Sequence, residues 1–204
     1  MISWIVATHD RTILSTNLLA TLGDLAGEEL IVVEDAPSIA AAYNRGTAQA
    51  TQPVLVYVHH DVQVLDPVRL RAELLRACGR PGVGMVGVVG STTAVVPWWD
   101  DLSPLGSVVD ARIGRLDFGP GGPCAYLDGL LLATPHHVEW DEDYRGWHLY
   151  DHDQCQQQLA AGRHNWCLTG GHTLLRHNNV GHPTNVAQLD GWADGVQRFK
   201  EKWG

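Results

Sequence analysis

The run Val54-Leu55-Val56-Tyr57-Val58 carries no alternation of apolar and polar side chains, and it stops at His59-His60-Asp61. A strand with one wet face alternates with period two. One that is apolar throughout is buried on both faces, which usually means a parallel sheet covered by helices on each side. The flanking pattern agrees. Ile2–Ala7 reads as a first strand, and Leu14, Leu18, Leu19, Leu22 and Leu25 recur at helical spacing up to Gly27. Leu30–Val33 is a second strand running into Glu34-Asp35, and Ser38 caps an alanine-rich helix through Ala50. Asp66, Pro67 and Gly79 frame another helix before a fourth strand over Val83–Val89. This βαβ alternation predicts an α/β fold, a mostly parallel sheet flanked by helices in a single domain.

The second half reads differently. Val96–Pro123 mixes Gly, Pro and Trp98-Trp99 with no sustained period, and is expected to be a long functional loop. Tyr126–Ala133 returns to strand and Asp151–Ala161, closed by Gly162, to helix. Asn165–Leu168 and Thr173–Leu175 are candidate short strands, and Leu189–Trp203 a terminal amphipathic helix. A net charge of −9 with no basic cluster argues against a nucleic-acid partner. The longest apolar runs, Val54–Val58 and Leu130–Ala133, fall far short of the roughly 20 residues of a transmembrane segment. Met1–Asp10 lacks the pattern of a signal peptide, so the expected location is cytoplasmic. Cys78, Cys124, Cys155 and Cys167 have no Cys-x-x-Cys spacing and are expected to be buried, reduced thiols.

Residues that end buried strands lie at the carboxyl edge of the sheet, where open α/β folds bind ligands. In strand geometry His59 and Asp61 point one way and His60 the other, so one imidazole and one carboxylate can share a divalent ion; a helix cap or a loop hydrogen bond is the structural alternative. Asp35 lies along the same edge, as do Thr8 and Asp10, where turn formation competes with ligand contact. Gly146-Trp147-His148-Leu149-Tyr150-Asp151-His152-Asp153 is the densest polar and aromatic stretch. One of its acids can cap the helix, while the rest suggests a carboxylate that takes a proton from a bound hydroxyl beside an aromatic face. His172, His177 and His182 follow the last strands, and any of them can complete a metal site.

The order Thr8-His9-Asp10, Val33-Glu34-Asp35, Ala42-Tyr43-Asn44-Arg45-Gly46, Tyr57-Val58-His59-His60-Asp61-Val62, Leu127-Asp128-Gly129-Leu130, Gly146–Asp151 and a late His177 resembles the GT-A fold family 2 glycosyltransferases. It is most similar to their compact bacterial subgroup with His-x-Asp in place of Asp-x-Asp. The resemblance implies a GT-A, Rossmann-like sheet and transfer of a sugar from a nucleotide-diphosphate donor, typically a UDP-sugar, to an acceptor hydroxyl, with inversion and a divalent cation. Thr8, Asp35 and His59 would then contact the nucleotide, and Asp128, Gly129, Trp147 and His148 the donor sugar. Asp61, His59 and His177 would hold Mn²⁺ or Mg²⁺, with His172 as the alternative late histidine; imidazole ligands suit Mn²⁺ better. Asp151 would be the catalytic base and Asp153 the second acid after it. Residues 1–95 would form the nucleotide-binding half, and residues 96–204 the acceptor and catalytic half with its loop over 96–123. The acidic surface and terminal helix permit a homodimer. Two other classes remain open: a nucleotide-sugar-binding protein without turnover, and a metal-dependent phosphoester hydrolase.

Overall fold

The computed structural model describes residues 1–93, 103–178 and 191–204. Its first unit is parallel: β1 (Ile2–Thr8) lies between β2 (Glu29–Glu34) and β3 (Val54–His59), with Ala7 paired to His59 at the carboxyl edge. The double burial expected of these strands is realised residue by residue. Val54, Val56 and Val58 enter one hydrophobic cluster with Ile2, Trp4 and Val6, whereas Leu55 and Tyr57 enter another with Ile5 and Ala7. Each such side chain, taken fully out of water, contributes about 1.5–3 kcal/mol before the entropy cost of ordering it.

Three helices follow from local chemistry. Asp10 accepts hydrogen bonds from the amides of Thr12 (2.7 Å) and Ile13 (3.2 Å), capping α1 (Arg11–Leu14), which widens into a π turn over Ser15–Leu19. That capping role accounts for Asp10. The helix expected to run on toward Gly27 ends earlier, and Leu25 simply packs against the core. Ser38 caps α2 (Ile39–Thr47), where Gly46 lies so close to β1 that a Cβ would overlap the Ile5 methyl. Asp66 caps α3 (Pro67–Cys78) through the Arg69 amide.

Beyond α3 the chain departs from expectation by switching sheets. The stretch Val83–Val89 divides into β5 (Val83–Gly87) and β6 (Val89–Ser91), and Tyr126–Ala133 divides into β10 (Tyr126–Leu127) and β11 (Leu131–Thr134). Residues 104–123, expected as part of the loop over 96–123, instead form β7 (Pro104–Asp110), β8 (Gly114–Asp117) and most of β9 (Gly122–Cys124). Trp98-Trp99 lie outside the described residues. The Thr173–Leu175 segment is a 3₁₀ turn over Gly171–Thr173 leading into β13 (Leu175–His177), and β12 (His164–Cys167) precedes it. The main sheet runs β2-β1-β3-β11-β5-β12-β9, with β11 and β9 antiparallel to their neighbours. A second sheet, β10-β6-β7-β13-β4, includes β4 (Val62–Val64).

Two helices close one face: α4 (Tyr150–Ala160) and α5 (Trp192–Trp203), the latter matching the expected terminal helix from Trp192 onward. Asp153, 1% exposed, ties them together. It accepts from the Tyr144 hydroxyl (3.3 Å), Gln157 Nε2 (2.6 Å) and Trp203 Nε1 (2.7 Å), and pairs with Lys202. Among the described residues no helix is long and apolar enough to cross a membrane.

Candidate active site

β3 ends where the chain must leave the main sheet. His59 is still held there, its amide donating to the Leu130 carbonyl at 3.1 Å, and Asp61 begins the turn into β4. β4 pairs antiparallel with β13 so that Val62 faces His177, and the Asn178 amide donates to the Asp61 carbonyl at 3.0 Å. This register carries His177 across 116 positions of sequence to the side of Asp61, with Nε2 3.4 Å from Oδ1. His59, Asp61 and His177 each offer one ligand atom, and these atoms all lie within 4.8 Å of one another. Asp61 Oδ1 and His177 Nε2 are buried without a hydrogen-bond partner. Two orphaned polar atoms beside a third ligand fit a shared divalent cation.

The electrostatics fit the same role. Burial pushes His59 down to about 4, so its imidazole is neutral and offers a lone pair at physiological pH. Burial alone would raise Asp61, but the facing His177, with His59 behind it, holds the carboxyl well below its usual range. His177 moves the other way: burial disfavours its charge, and the Asp61 carboxylate outweighs that and raises it.

His59 is also oriented from behind. Its Nε2 and the Tyr150 hydroxyl share a 2.6 Å hydrogen bond, and the Tyr150 ring is packed by Tyr43 and Trp140. Tyr150 opens α4 after Leu149, which adopts the left-handed region at φ 60° and gives the helix no side-chain cap. Asp151 therefore does not act as the N-cap, the structural alternative for an acid at this position. Its Oδ2 accepts from the Gly129 amide (2.9 Å) and its Oδ1 from the His152 amide (2.9 Å); burial alone would raise its carboxyl, but the adjacent His152 imidazole, followed by these two amides, holds it low. Asp128 lies beside it, with burial and the Asp151 charge raising its carboxyl.

Gly129 is required by this packing. A Cβ there would fall on the Tyr150 hydroxyl and lie 2.7 Å from Cζ, and Tyr150 is buried and cannot swing aside. Gly129→Ala is expected to lower the melting temperature by roughly 3–10 °C and to weaken cation binding by displacing Tyr150 from His59. Thermal unfolding and Mn²⁺ titration of that variant check both effects.

The remaining expected residues fall on the rim or elsewhere. Thr8 is buried at the end of β1, its hydroxyl 2.7 Å from His60 Nδ1, and Asp35 is exposed at the end of β2 with φ 52°. Trp147 is 41% exposed, with the His9 ring 6.1 Å away and His60 beyond it. His148 packs on Trp192 of α5. His172 is not in the His59 group; it bonds Ser107 Oγ at 2.9 Å beside the β7–β8 hairpin. Asp153 serves the α4–α5 junction, and His182 lies outside the described residues. Sequence reasoning missed Tyr150 and Asn44. The Asn44 side chain pairs with both the amide and the carbonyl of Trp140, so the Ala42–Gly46 motif braces the Trp140 loop.

The model of the glycosyltransferase-like family matches residues 23–172, well over half of the chain. No curated protein matches the sequence. Among solved structures, GalNAc-T7 with UDP, GalNAc and Mn²⁺ superposes with a TM-score of 0.62 at 11% identity, covering 97% of this chain and 47% of that one. The S. aureus TarS fragment 1–349 superposes at 0.58 and 10%, covering 87% and 60%. A mannosyltransferase from Pyrobaculum calidifontis in complex with GDP-Man and Mn²⁺ superposes at 0.53 and 13%, covering 88% and 58%. The chain thus spans about half to three fifths of the length of these structures, and the likeness establishes the fold. On the family match and the shared architecture, this chain belongs to the glycosyltransferase-like family and has the GT-A fold.

Proposed function

We propose that this chain transfers a sugar from a nucleoside-diphosphate donor, a UDP-sugar, to an acceptor hydroxyl, with a divalent cation and with inversion at the anomeric carbon. The observation that carries the reading is the convergence of His59, Asp61 and His177 with two orphaned ligand atoms, one hydrogen bond away from the helix turn that presents Asp151. A cation held by these three side chains would neutralise the departing diphosphate. Asp151 accepts the proton of the acceptor hydroxyl as its oxygen attacks the anomeric carbon from the side opposite the diphosphate; the carbon–oxygen bond to the diphosphate breaks and the configuration inverts. In this scheme Thr8 and Asp35 sit toward the nucleoside, and Asp128, Gly129, Trp147 and His148 line the sugar. Residues 1–95 carry the donor and residues 96–204 the acceptor. The four buried free thiols suit a reducing compartment, which supports a cytoplasmic setting. Solved structures of the same fold that hold UDP or GDP-Man with Mn²⁺ support the donor class.

Cation affinity should depend on pH with a defined sign. Binding requires neutral imidazoles, and Asp61 holds the His177 pKa above the ordinary value of about 6.5, so His177 must release a proton as the ion binds. Mn²⁺ affinity is therefore expected to fall as the pH drops through that raised value. Mn²⁺ titration in two buffers of different ionisation enthalpy, from about pH 8 down to about pH 6, reads the released proton directly. The function itself is tested by incubating the protein with Mn²⁺ and a panel of UDP- and GDP-sugars, with mono- and disaccharide acceptors. Acceptor-stimulated release of one nucleotide supports the reading, and a protein that instead cleaves simple phosphoesters without nucleotide preference refutes it.

A further inference from the structure

His152 follows Asp151 directly, and adjacent helical side chains do not normally meet. Here they do. Its Nδ1 lies 3.1 Å from Asp151 Oδ1, the same oxygen that accepts the His152 amide, while the Gly129 amide holds Oδ2. The imidazole is 1% exposed and packed between Tyr126 of β10, at 4.8 Å between ring centres, and Phe199 of α5, perpendicular at 6.3 Å. Two elements far apart in sequence thus fix the ring, and the ring fixes one carboxylate oxygen.

We propose that His152 is a positioning residue for the catalytic step: its Nδ1–H, clamped by Tyr126 and Phe199, holds the Asp151 carboxylate in the single orientation in which it can receive the acceptor proton. The inference rests on the reading of Asp151 as the base. Three donors on two oxygens leave Asp151 one open lone-pair direction, on Oδ2, and that is the direction available to an incoming hydroxyl. Without Nδ1–H the carboxylate keeps its two backbone donors but loses the side-chain contact that fixes its rotation. Misplacing a reacting group by about 1 Å can cost roughly 10²-fold in rate.

Two substitutions of opposite design test this. In His152→Asn the amide nitrogen stands where Nδ1 stood, so the donor is restored; in His152→Gln it stands nearer Nε2, so the donor is displaced with little change in bulk. Turnover of the donor sugar found active is expected to drop at least tenfold in H152Q and to stay within about threefold of wild type in H152N, with KM for the donor unchanged in both. A ¹³Cγ NMR titration of Asp151 in the cation-free protein needs no substrate. Its midpoint should move to higher pH in H152Q and much less in H152N. The other titratable groups facing Asp151, namely Asp128, His59, Tyr43, Tyr150 and Cys155, are the same in both variants. H152L replaces H152Q in both measurements if H152Q does not fold. Equal behaviour of H152N and the donor-lacking variant, in midpoint or in turnover, overturns the proposal. A dead Asp151→Asn beside a fully active H152Q overturns it while leaving the base assignment intact. An Asp151→Asn that keeps transferring sugar removes the base assignment itself.

Discussion

Asp151→Asn is expected to reduce sugar transfer by about 10²–10⁴-fold while nucleotide affinity stays near that of the wild type. The size follows from what is removed. In the proposed mechanism the carboxylate takes the acceptor proton, and an amide of the same shape cannot. In the proposed arrangement the nucleotide contacts lie at the ends of β1, β2 and β3 and the cation ligands at the end of β3, in the turn before β4 and at the end of β13, and none is made by Asp151, so binding should survive. Some stability is lost as well. Both carboxylate oxygens accept from donors, Gly129 on one side and His152 on the other, and an amide can satisfy only one of them. That mismatch costs about 1–3 kcal/mol, roughly 2–12 °C in melting temperature, and is measured separately so that it is not mistaken for a catalytic effect. A variant that keeps a tenth or more of the wild-type rate would remove Asp151 from the mechanism.

Asp61→Ala is the second large effect, expected on cation binding rather than on the chemical step. It removes the only carboxylate of the three-residue group, and with it the charge that raises His177. The His177 pKa then falls, with only the Asp128 and Asp110 charges left to oppose burial, and the two remaining imidazoles bring no negative charge of their own to a dication. Replacing even a supporting residue of a metal site typically costs 10–100-fold in affinity, so loss of a ligand should cost about 100-fold or more. Mn²⁺ titration followed by electron paramagnetic resonance reads this without any sugar. The cation-free protein should also respond to pH in two opposite ways. Stability contributed by Asp61, whose carboxyl is depressed, is present above its unfolded value near ~3.9 and lost as the pH falls through the folded one. Stability contributed by His177, whose pKa is raised, is present below about 6.5 and lost as the pH rises through its folded value. Asp61→Ala should abolish both arms.

The parts of this site legible in the sequence were those set by short-range periodicity. An apolar run with no alternation predicted β3 and its double burial, and period two placed His59 and Asp61 on one side. His177 could be chosen over His172 and His182 only through the family resemblance, because its approach to Asp61 depends on the β4–β13 register. Residues 104–123 were hidden for a related reason. β7 carries Pro104 and a left-handed Gly106, both turn signals, and becomes strand because β6, β8 and β13 pair with it. Asp153 illustrates a constraint that was available in the sequence. At about 100° per helical residue, positions 151 and 153 point about 160° apart, so one helix could not aim both acids at one substrate. The structure spends the second on α5. Tyr150 lay inside the stretch singled out, yet its bond to His59 depends on Leu149 entering the helix from the left-handed region, which no propensity for leucine predicts.

Calorimetric titration of the wild-type protein with UDP and GDP, each with and without Mn²⁺, decides whether the His59, Asp61 and His177 group serves a cation-dependent donor site. UDP is expected to bind one to one in the presence of Mn²⁺ and at least tenfold more weakly without it. Absence of binding by either nucleotide with Mn²⁺ present, or binding of equal strength without the cation, would contradict it.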